Sequence, residues 1–322
     1  MELRSGGVMI EVTCASWEEF KARVHHDYIE EVMGVSPLFR GHAQSDWKLA
    51  SPWDRKLENG SRDIGGTKAD RESRSGLLKS ILANFKELSV GLPGIRYRDL
   101  DEVDWWAIGR HYGLVTPLLD WTRSPCVAAF FAFTGFVENI SPGTLSGYFD
   151  PKKFLCSGMS RPVAVWGLLV DSVNPEDREK LAVGEGLAKE IELLNPQMDI
   201  GHRQRAQRGL FTRLTHNNYF SIEEYLSTLD LPKPPLRKYL IPGSEAAKAL
   251  TELRMMNITF ATLFPDLDGA ARQANFDMSA FALMVFSTVP TNIWAEGGDS
   301  CHASEVSVHN PAERADGKLR RR

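Results

Sequence analysis

Cysteine is scarce in this sequence: four residues in 322, Cys14, Cys126, Cys156 and Cys301, stand far apart. Without paired spacing they exclude the common zinc frameworks and a redox dithiol, and they read as reduced thiols. Charge of one sign is lacking too. A formal net charge of −4 and a pI near 6.1 give no global electrostatic case for a nucleic-acid or membrane-surface protein, although a local basic patch is still allowed. No apolar run approaches the ~20 residues that span a bilayer, and the N-terminus lacks a charged-then-apolar signal pattern. The expectation is a cytoplasmic protein with no membrane partner. No internal repeat is visible.

What is abundant is core material. With 43% hydrophobic and 10% aromatic side chains the chain can bury a large core without metals or disulfides, as one large domain or two small ones. After a short leader (residues 1–15), Ser16-Trp17-Glu18-Glu19 has the capping-box pattern, and Phe20, Val24, Tyr28 and Val32 follow at four-residue spacing, which predicts an amphipathic helix. Leu38-Phe39-Arg40-Gly41-His42 reads as a brief strand with one fixed charge, Arg40, which fits either an internal ion pair or an anion grip. Trp47 to Arg55 is expected in extended or turn form, and residues 59–70 as a mobile loop.

Leu77, Leu78, Ile81, Leu82, Phe85 and Leu88 make a helix stripe over residues 72–90. Residues 163–170 predict a buried strand, 187–194 a short helix, 221–226 a helix, 236–241 a strand, and 244–256 a helix capped by Ser244. Thr259–Phe264 is expected as a last strand, with Pro265-Asp266 opening a short helix through Asp268 and Arg272. From about residue 290 the chain is polar and irregular and is expected to be a disordered tail. Elements in this mixed order, without βαβ alternation, predict an α+β (mixed α/β) single domain: a modest mixed sheet from the strands near Phe39, Leu118, Val163, Phe211, Lys238 and Phe260, flanked by helices.

The densest chemistry lies in residues 109–133. A buried helix around Trp105 and Trp106 should stop at Gly113, which puts His111 and Tyr112 at its end. Asp120-Trp121-Thr122 then leads to Ser124 as N-cap and Pro125 as first residue of an Ala/Phe-rich helix, whose free N–H groups point back at the turn. Two accounts fit these residues. Asp120, Thr122 and Ser124 can satisfy the backbone of a tight turn while His111 is a hydrogen-bonded core histidine; or the helix start, with those side chains, holds an anion. A second unusual segment, Arg203 to Thr212, crowds arginines at one edge of a predicted strand.

Phe39-Arg40-Gly41, Trp47 and Pro52, the His111-Tyr112-Gly113 to Ala132 stretch, Gln207-Arg208-Gly209-Leu210-Phe211 and Leu263 to Gly269 together resemble the FRG domain family over about residues 16–275, which implies an FRG-type domain over 16–280. His42 departs from the pattern, in which Gln often follows the glycine. More loosely, an arginine on an early strand, and a strand ending in a Thr/Ser turn before an x-Ala-x-x-Phe helix, are similar to the first two motifs of ADP-ribosyltransferases. That resemblance implies NAD as a substrate rather than a bound cofactor, with Arg40 on its phosphate or ribose and Thr122 and Ser124 on the turn that holds it. In the third motif of such enzymes a glutamate polarises the ribose; here Gln207-Arg208-Gly209 carries glycine in that place.

Splitting the glycosidic bond to nicotinamide needs a cationic grip on pyrophosphate and a carboxylate beside an oxocarbenium-like ribose. Arg40, Arg203 and the helix start at Ser124 are the expected grip, Asp120 or Asp268 the carboxylate, and His111 the acid/base or a donor to the ribose, with Tyr112 and Gln207 as further ligand contacts. The expected function is a nucleotide- or NAD-binding, ADP-ribosyltransferase-like effector in phage defence or a toxin system, with a nucleic-acid or protein acceptor. The alternative is a non-catalytic module that binds nucleic acid or a phospholigand through its basic edge. A third reading, a hydrolase with Asp120 and Asp268 on a metal, has less support, because separation in sequence says nothing of proximity.

Overall fold

Side-chain caps set the start of several helices. In the computed structural model, which describes residues 4–31, 37–63, 71–92, 100–140, 161–169, 190–196, 202–215, 219–229 and 234–287, two strands, β1 (Arg4–Gly6) and β2 (Met9–Thr13), precede α1 (Trp17–Glu31). Ser16 Oγ accepts the Glu19 N–H at 3.1 Å, while the Glu19 carboxylate reaches back to the Ala15 N–H, one residue further than a capping box requires. The strand β3 (Leu38–His42) follows, then a helix that the sequence reading missed, α2 (Pro52–Asp63). Its start signal was present: Ser51 Oγ accepts the Asp54 N–H at 3.1 Å, with Pro52 as first helical residue. The expected mobile loop over 59–70 is therefore helical to residue 63, and its remainder lies outside the described residues, as does the expected tail from residue 290.

Next come α3 (Arg71–Ser89), α4 (Glu102–His111), β4 (Leu118–Thr122), α5 (Pro125–Ile140) and β5 (Pro162–Leu168). Ile191–Leu194, expected within a helix, is instead strand β6, held on the free edge of its neighbour and tied there by Glu192 to Arg213 at 2.7 Å. A four-residue helix α6 (Arg203–Ala206), β7 (Gly209–Leu214), α7 (Ile222–Leu226), β8 (Leu236–Pro242) and α8 (Ala246–Met255) follow, a 3-10 turn over Gly243–Glu245 standing where Ser244 was expected to cap a longer helix. The expected last strand at Thr259–Phe264 is a helix, α9 (Phe260–Leu263). Thr259 and Thr262 form a reciprocal capping box, which outweighs the β-propensity of the Thr/Phe alternation, and Phe260 packs on Phe130 of α5 at 5.0 Å. The last described helix is α10 (Leu267–Ser287), longer than expected.

The strands form one eight-stranded mixed sheet in the order β1-β2-β8-β5-β3-β4-β7-β6, antiparallel throughout except β2 beside β8, so the fold is α+β. Residues 4–13, read as leader, supply two of its strands. Phe39 joins the core that α1, α5 and α8 build through Trp17, Phe133 and Leu253, whereas Leu38 joins a second core with Leu119, Trp121, Trp166 and Ile222. A third cluster seats Trp105, Trp106 and Ile108 of α4 against Leu82 of α3 and Leu118 of β4.

Two details of this packing create the opening described below. Gly41 lies so close to α5 that a Cβ there would overlap the Ala128 carbonyl and crowd the Ala132 N–H, so only glycine lets strand and helix meet. Between β3 and β4 the ladder is a single pair, Phe39 opposite Thr122, whereas β4 and β7 pair at five positions. Beyond that pair the two strands part.

Candidate functional site

The end of α4 aims its last turn at this parting. Asp101 caps the start by accepting the Asp104 N–H at 2.8 Å. At the other end Leu114 N–H returns to the Gly109 carbonyl at 2.8 Å and Gly113 N–H to the Arg110 carbonyl at 3.3 Å, with Gly113 at φ +89°. This is a Schellman stop, and it needs a residue that accepts the left-handed conformation at Gly113. The helix ends as the sequence reading expected. The side chains it delivers are Arg110 and His111.

Arg110 grips Asp120 with two donors, Nη2 to Oδ2 at 2.7 Å and Nε to Oδ1 at 3.3 Å. From the opposite strand Arg40 donates through Nη1 to the Asp120 carbonyl at 2.7 Å and lies 3.5 Å from Oδ2, bridging the gap that the ladder leaves. Two guanidinium groups thus share one carboxylate, and the trio carries a net charge of about +1. Enclosure alone would raise the Asp120 pKa; Arg110 and then Arg40 more than reverse that and bring it to about 2. Burial pulls Arg40 down to about 10, with Asp120 opposing, which leaves it protonated at neutral pH.

His42 supports Arg40 from behind. Its Nε2 faces Arg40 Nε at 3.0 Å and its Nδ1 faces Trp166 Nε1 at 3.2 Å. Burial and the Arg40 charge hold its pKa well below the ordinary histidine value, so the ring is neutral. A neutral imidazole has one acceptor nitrogen, so it satisfies one of these two donors at a time.

The facing wall comes from α6, α9 and α10. Arg203 donates to Asp266 Oδ2 at 2.6 and 2.8 Å and to Asp268 at 3.1 Å, and Arg272 bonds Asp268 at 3.0 Å. Both guanidinium groups lie over the Phe264 ring, at 5.0 and 5.1 Å from its centroid, within cation–π range. Gln207 donates its side-chain amide to the Leu263 carbonyl at 3.1 Å. His111 meets Tyr112 edge-on at 4.7 Å, and neither of its ring nitrogens has a hydrogen-bond partner among the described residues. Partial burial lowers its pKa, helped by Arg203 and opposed by Asp266 and Asp268, so it too is neutral at neutral pH.

Between these walls lies a cavity of about 510 Å³, and Arg40, His111, Asp120, Thr122, Arg203 and Gln207 of the expected site all line it. Asp268 is not among its lining residues; it holds Arg203 and Arg272, which are. Tyr112 caps α4 and is 61% exposed. Thr122 and Ser124 serve the turn. The Thr122 hydroxyl donates to the Gln207 carbonyl at 2.6 Å and accepts the Ser124 N–H at 3.1 Å, while Ser124 Oγ caps α5 through the Val127 N–H. Their hydroxyls are thus engaged in joining β4, α5 and the start of β7, which is the architectural account of these two residues.

Sequence reasoning missed Arg110, Arg272, Gln204 and the aromatic walls of Phe131 and Phe264, all of which line the cavity. Arg110 had a legible signal, a lone cation in the last turn before the Gly113 stop. Asp120 is the one carboxylate among the described lining residues, and among the described residues no three His, Cys, Asp or Glu side chains gather as a metal site. No described helix is long and apolar enough to cross a membrane. A family model for the FRG domain matches residues 36–139, the span that carries Arg40, Arg110 and Asp120 but not the facing wall. No curated protein and no solved structure matches the chain.

Proposed function

We propose, from the premise that this chain carries an FRG domain, that its cleft binds a nucleotide or a dinucleotide such as NAD and splits it by ADP-ribosyltransferase-type chemistry. The observation that carries the reading is the Arg40–Asp120–Arg110 trio: two guanidinium groups on one carboxylate leave a positive charge uncompensated inside a cavity of about 510 Å³. A volume of that order suits a small organic ligand, and partial exclusion of water strengthens each charge–charge contact. Phosphate oxygens would engage donors of Arg40 and Arg110, and Phe131 offers apolar surface to a ring.

In this reading the bond from the ribose anomeric carbon to the nicotinamide nitrogen breaks, nicotinamide leaves with the electron pair, and an acceptor oxygen forms the new bond. Asp120, ionised at any ordinary pH, cannot donate a proton; bonded by both arginines, its part is to hold the two guanidinium groups where phosphate oxygens would meet them. His111 is neutral with free ring nitrogens, so it is the group able to take the proton from the acceptor. The biological setting that fits is an effector in defence or a toxin system. The test is nicotinamide release from labelled NAD, alongside NAD binding by calorimetry, for wild type, Arg40→Ala, Arg110→Ala and His111→Ala. Loss of binding in the arginine variants, and loss of turnover with binding kept in His111→Ala, is the expected pattern. Equal binding in wild type and Arg110→Ala would overturn the reading.

The non-catalytic alternative draws on the edge from Arg203 to Arg213 together with Arg40. That edge is divided: Arg203 is committed to Asp266 and Asp268, and Arg213 to Glu102 and Glu192, each at 2.7 Å. The proposed metal role for Asp120 and Asp268 meets a similar difficulty, since both carboxylates are bonded by arginines.

A further inference from the structure

The arginines that remain from that edge gather with one that the sequence reading did not consider. Arg205 lies in α6, Arg208 in the turn before β7, and Arg123 in the turn between β4 and α5. The fold binds these turns together: Arg123 N–H donates to the Arg208 carbonyl at 3.1 Å, and Arg208 N–H to the Arg205 carbonyl at 3.1 Å. All three residues are exposed, and no side-chain hydrogen bond or ion pair engages any of them among the described residues. By contrast Arg213, Arg237, Arg254 and Arg272 each meet a carboxylate.

Arg208 adds a backbone cost. It adopts φ +49°, the left-handed region that an L-residue with a side chain enters at a penalty of roughly 1 kcal/mol or more. Glycine would relieve that penalty, and an arginine is there instead. In a chain of net charge −4, three unpaired guanidinium groups on adjoining turns form a local field of opposite sign to the whole.

Their position gives the field a use. Thr122, Gln204, Gln207 and Gly209 line the cavity, and the three arginines are the next residues along the chain from them. Chain passing over this rim is therefore within a residue's reach of the cleft. We infer that Arg123, Arg205 and Arg208 form a docking rim for the phosphodiester backbone of single-stranded nucleic acid, with one nucleotide of the strand directed to the mouth of the cleft. This deepens the proposed function by naming the class of acceptor, and it rests on the nucleotide-binding reading of the cleft. Spaced guanidinium groups suit phosphates spaced along a strand. A single strand is favoured over a duplex because its bases are free to turn toward a cleft without the cost of unpairing.

The test compares wild type with Arg123→Ala/Arg205→Ala/Arg208→Gly, in which glycine keeps the left-handed turn, and with the three corresponding lysine substitutions. The probes are a fluorescent single-stranded oligonucleotide of about a dozen nucleotides and, separately, NAD. The neutral triple variant is expected to lose at least about tenfold in oligonucleotide affinity at low salt. Its slope of log affinity against log salt should be shallower by about 2, the share of three phosphate contacts on a single strand. Its NAD binding should be unchanged, and the lysine variant should retain most oligonucleotide binding. If wild type binds NAD but not the oligonucleotide, or binds it equally in the neutral variant, the rim is overturned and the cleft reading stands. If polyglutamate displaces the oligonucleotide at equal charge concentration, the surface takes acidic protein as readily and the inference fails. If wild type binds neither probe, both readings fall together.

Discussion

Two arginine pairs face each other across the cleft, and they are balanced differently. Arg203 and Arg272 meet two carboxylates, Asp266 and Asp268, so their charges cancel. Arg40 and Arg110 meet one, Asp120, so theirs do not. The pair that cancels has its guanidinium groups laid on the Phe264 ring and frames one wall. The pair that does not cancel is the one able to attract an anion. The same residue type, a few side chains away, is frame in one place and receptor in the other, and the count of nearby acids decides which.

The widest break in this comparison is to remove the platform of one wall. Gly41→Ala forces β3 away from α5, and we expect a loss of about 3 kcal/mol in denaturant unfolding, at the upper end for an overpacked core. A sharper cut is Arg110→Ala, which leaves one arginine per carboxylate at Asp120 and so makes the two walls alike. Inorganic phosphate or NAD should then raise the melting temperature far less than in wild type, whereas Arg203→Ala should keep most of that ligand effect. A ligand effect lost equally in both would erase the distinction.

Asp120→Asn runs the other way, leaving two facing cations with no carboxylate. We expect about 2–3 kcal/mol of destabilisation, toward the low end for a broken ion pair because this side chain is 41% exposed. The pH dependence follows with its sign. Folding lowers the Asp120 pKa from about 3.8 to about 2, so its stabilisation is complete above the ordinary carboxylate range and is lost as pH falls toward 2. Acid titration of stability should be less steep in that window for Asp120→Asn than for wild type. Smallest is Arg272→Ala. Its pair with Asp268 is about half exposed, and roughly 0.5 kcal/mol or less is expected, measured by the same denaturation.

Much of the first wall could be read from the sequence because it is local. Gly113, Ser124 and Pro125 are punctuation with fixed meanings, and they place Asp120 between two helix ends without any knowledge of the rest of the fold. The second wall was legible only as residues. Nothing in the sequence says that Asp266 and Asp268 neutralise Arg203, since those partners lie more than sixty residues apart. Arg110 was passed over although it is adjacent to His111, because a charged residue in a last helical turn ordinarily needs no further explanation. The misread strand at Thr259–Phe264 shows the same limit from the local side: the alternation favoured a strand, and the threonine pair that caps a helix has no apolar signature. The two N-terminal strands were hidden by brevity, and β2 owes its place to a parallel partner more than two hundred residues away.

The lone rung joining β3 to β4 has a mechanical consequence. The sheet falls into two leaves, one ending in β3 and the other starting at β4, fastened by one ladder pair, by the Arg40 bonds to Asp120 and by α5, which rests against both. A tilt of one leaf about that pair would tear no long row of backbone hydrogen bonds, and the Arg40–Asp120 contact is what resists it. Amide protons at the seam should therefore exchange sooner than those within either leaf, and a molecule held by guanidinium groups from both leaves would slow them.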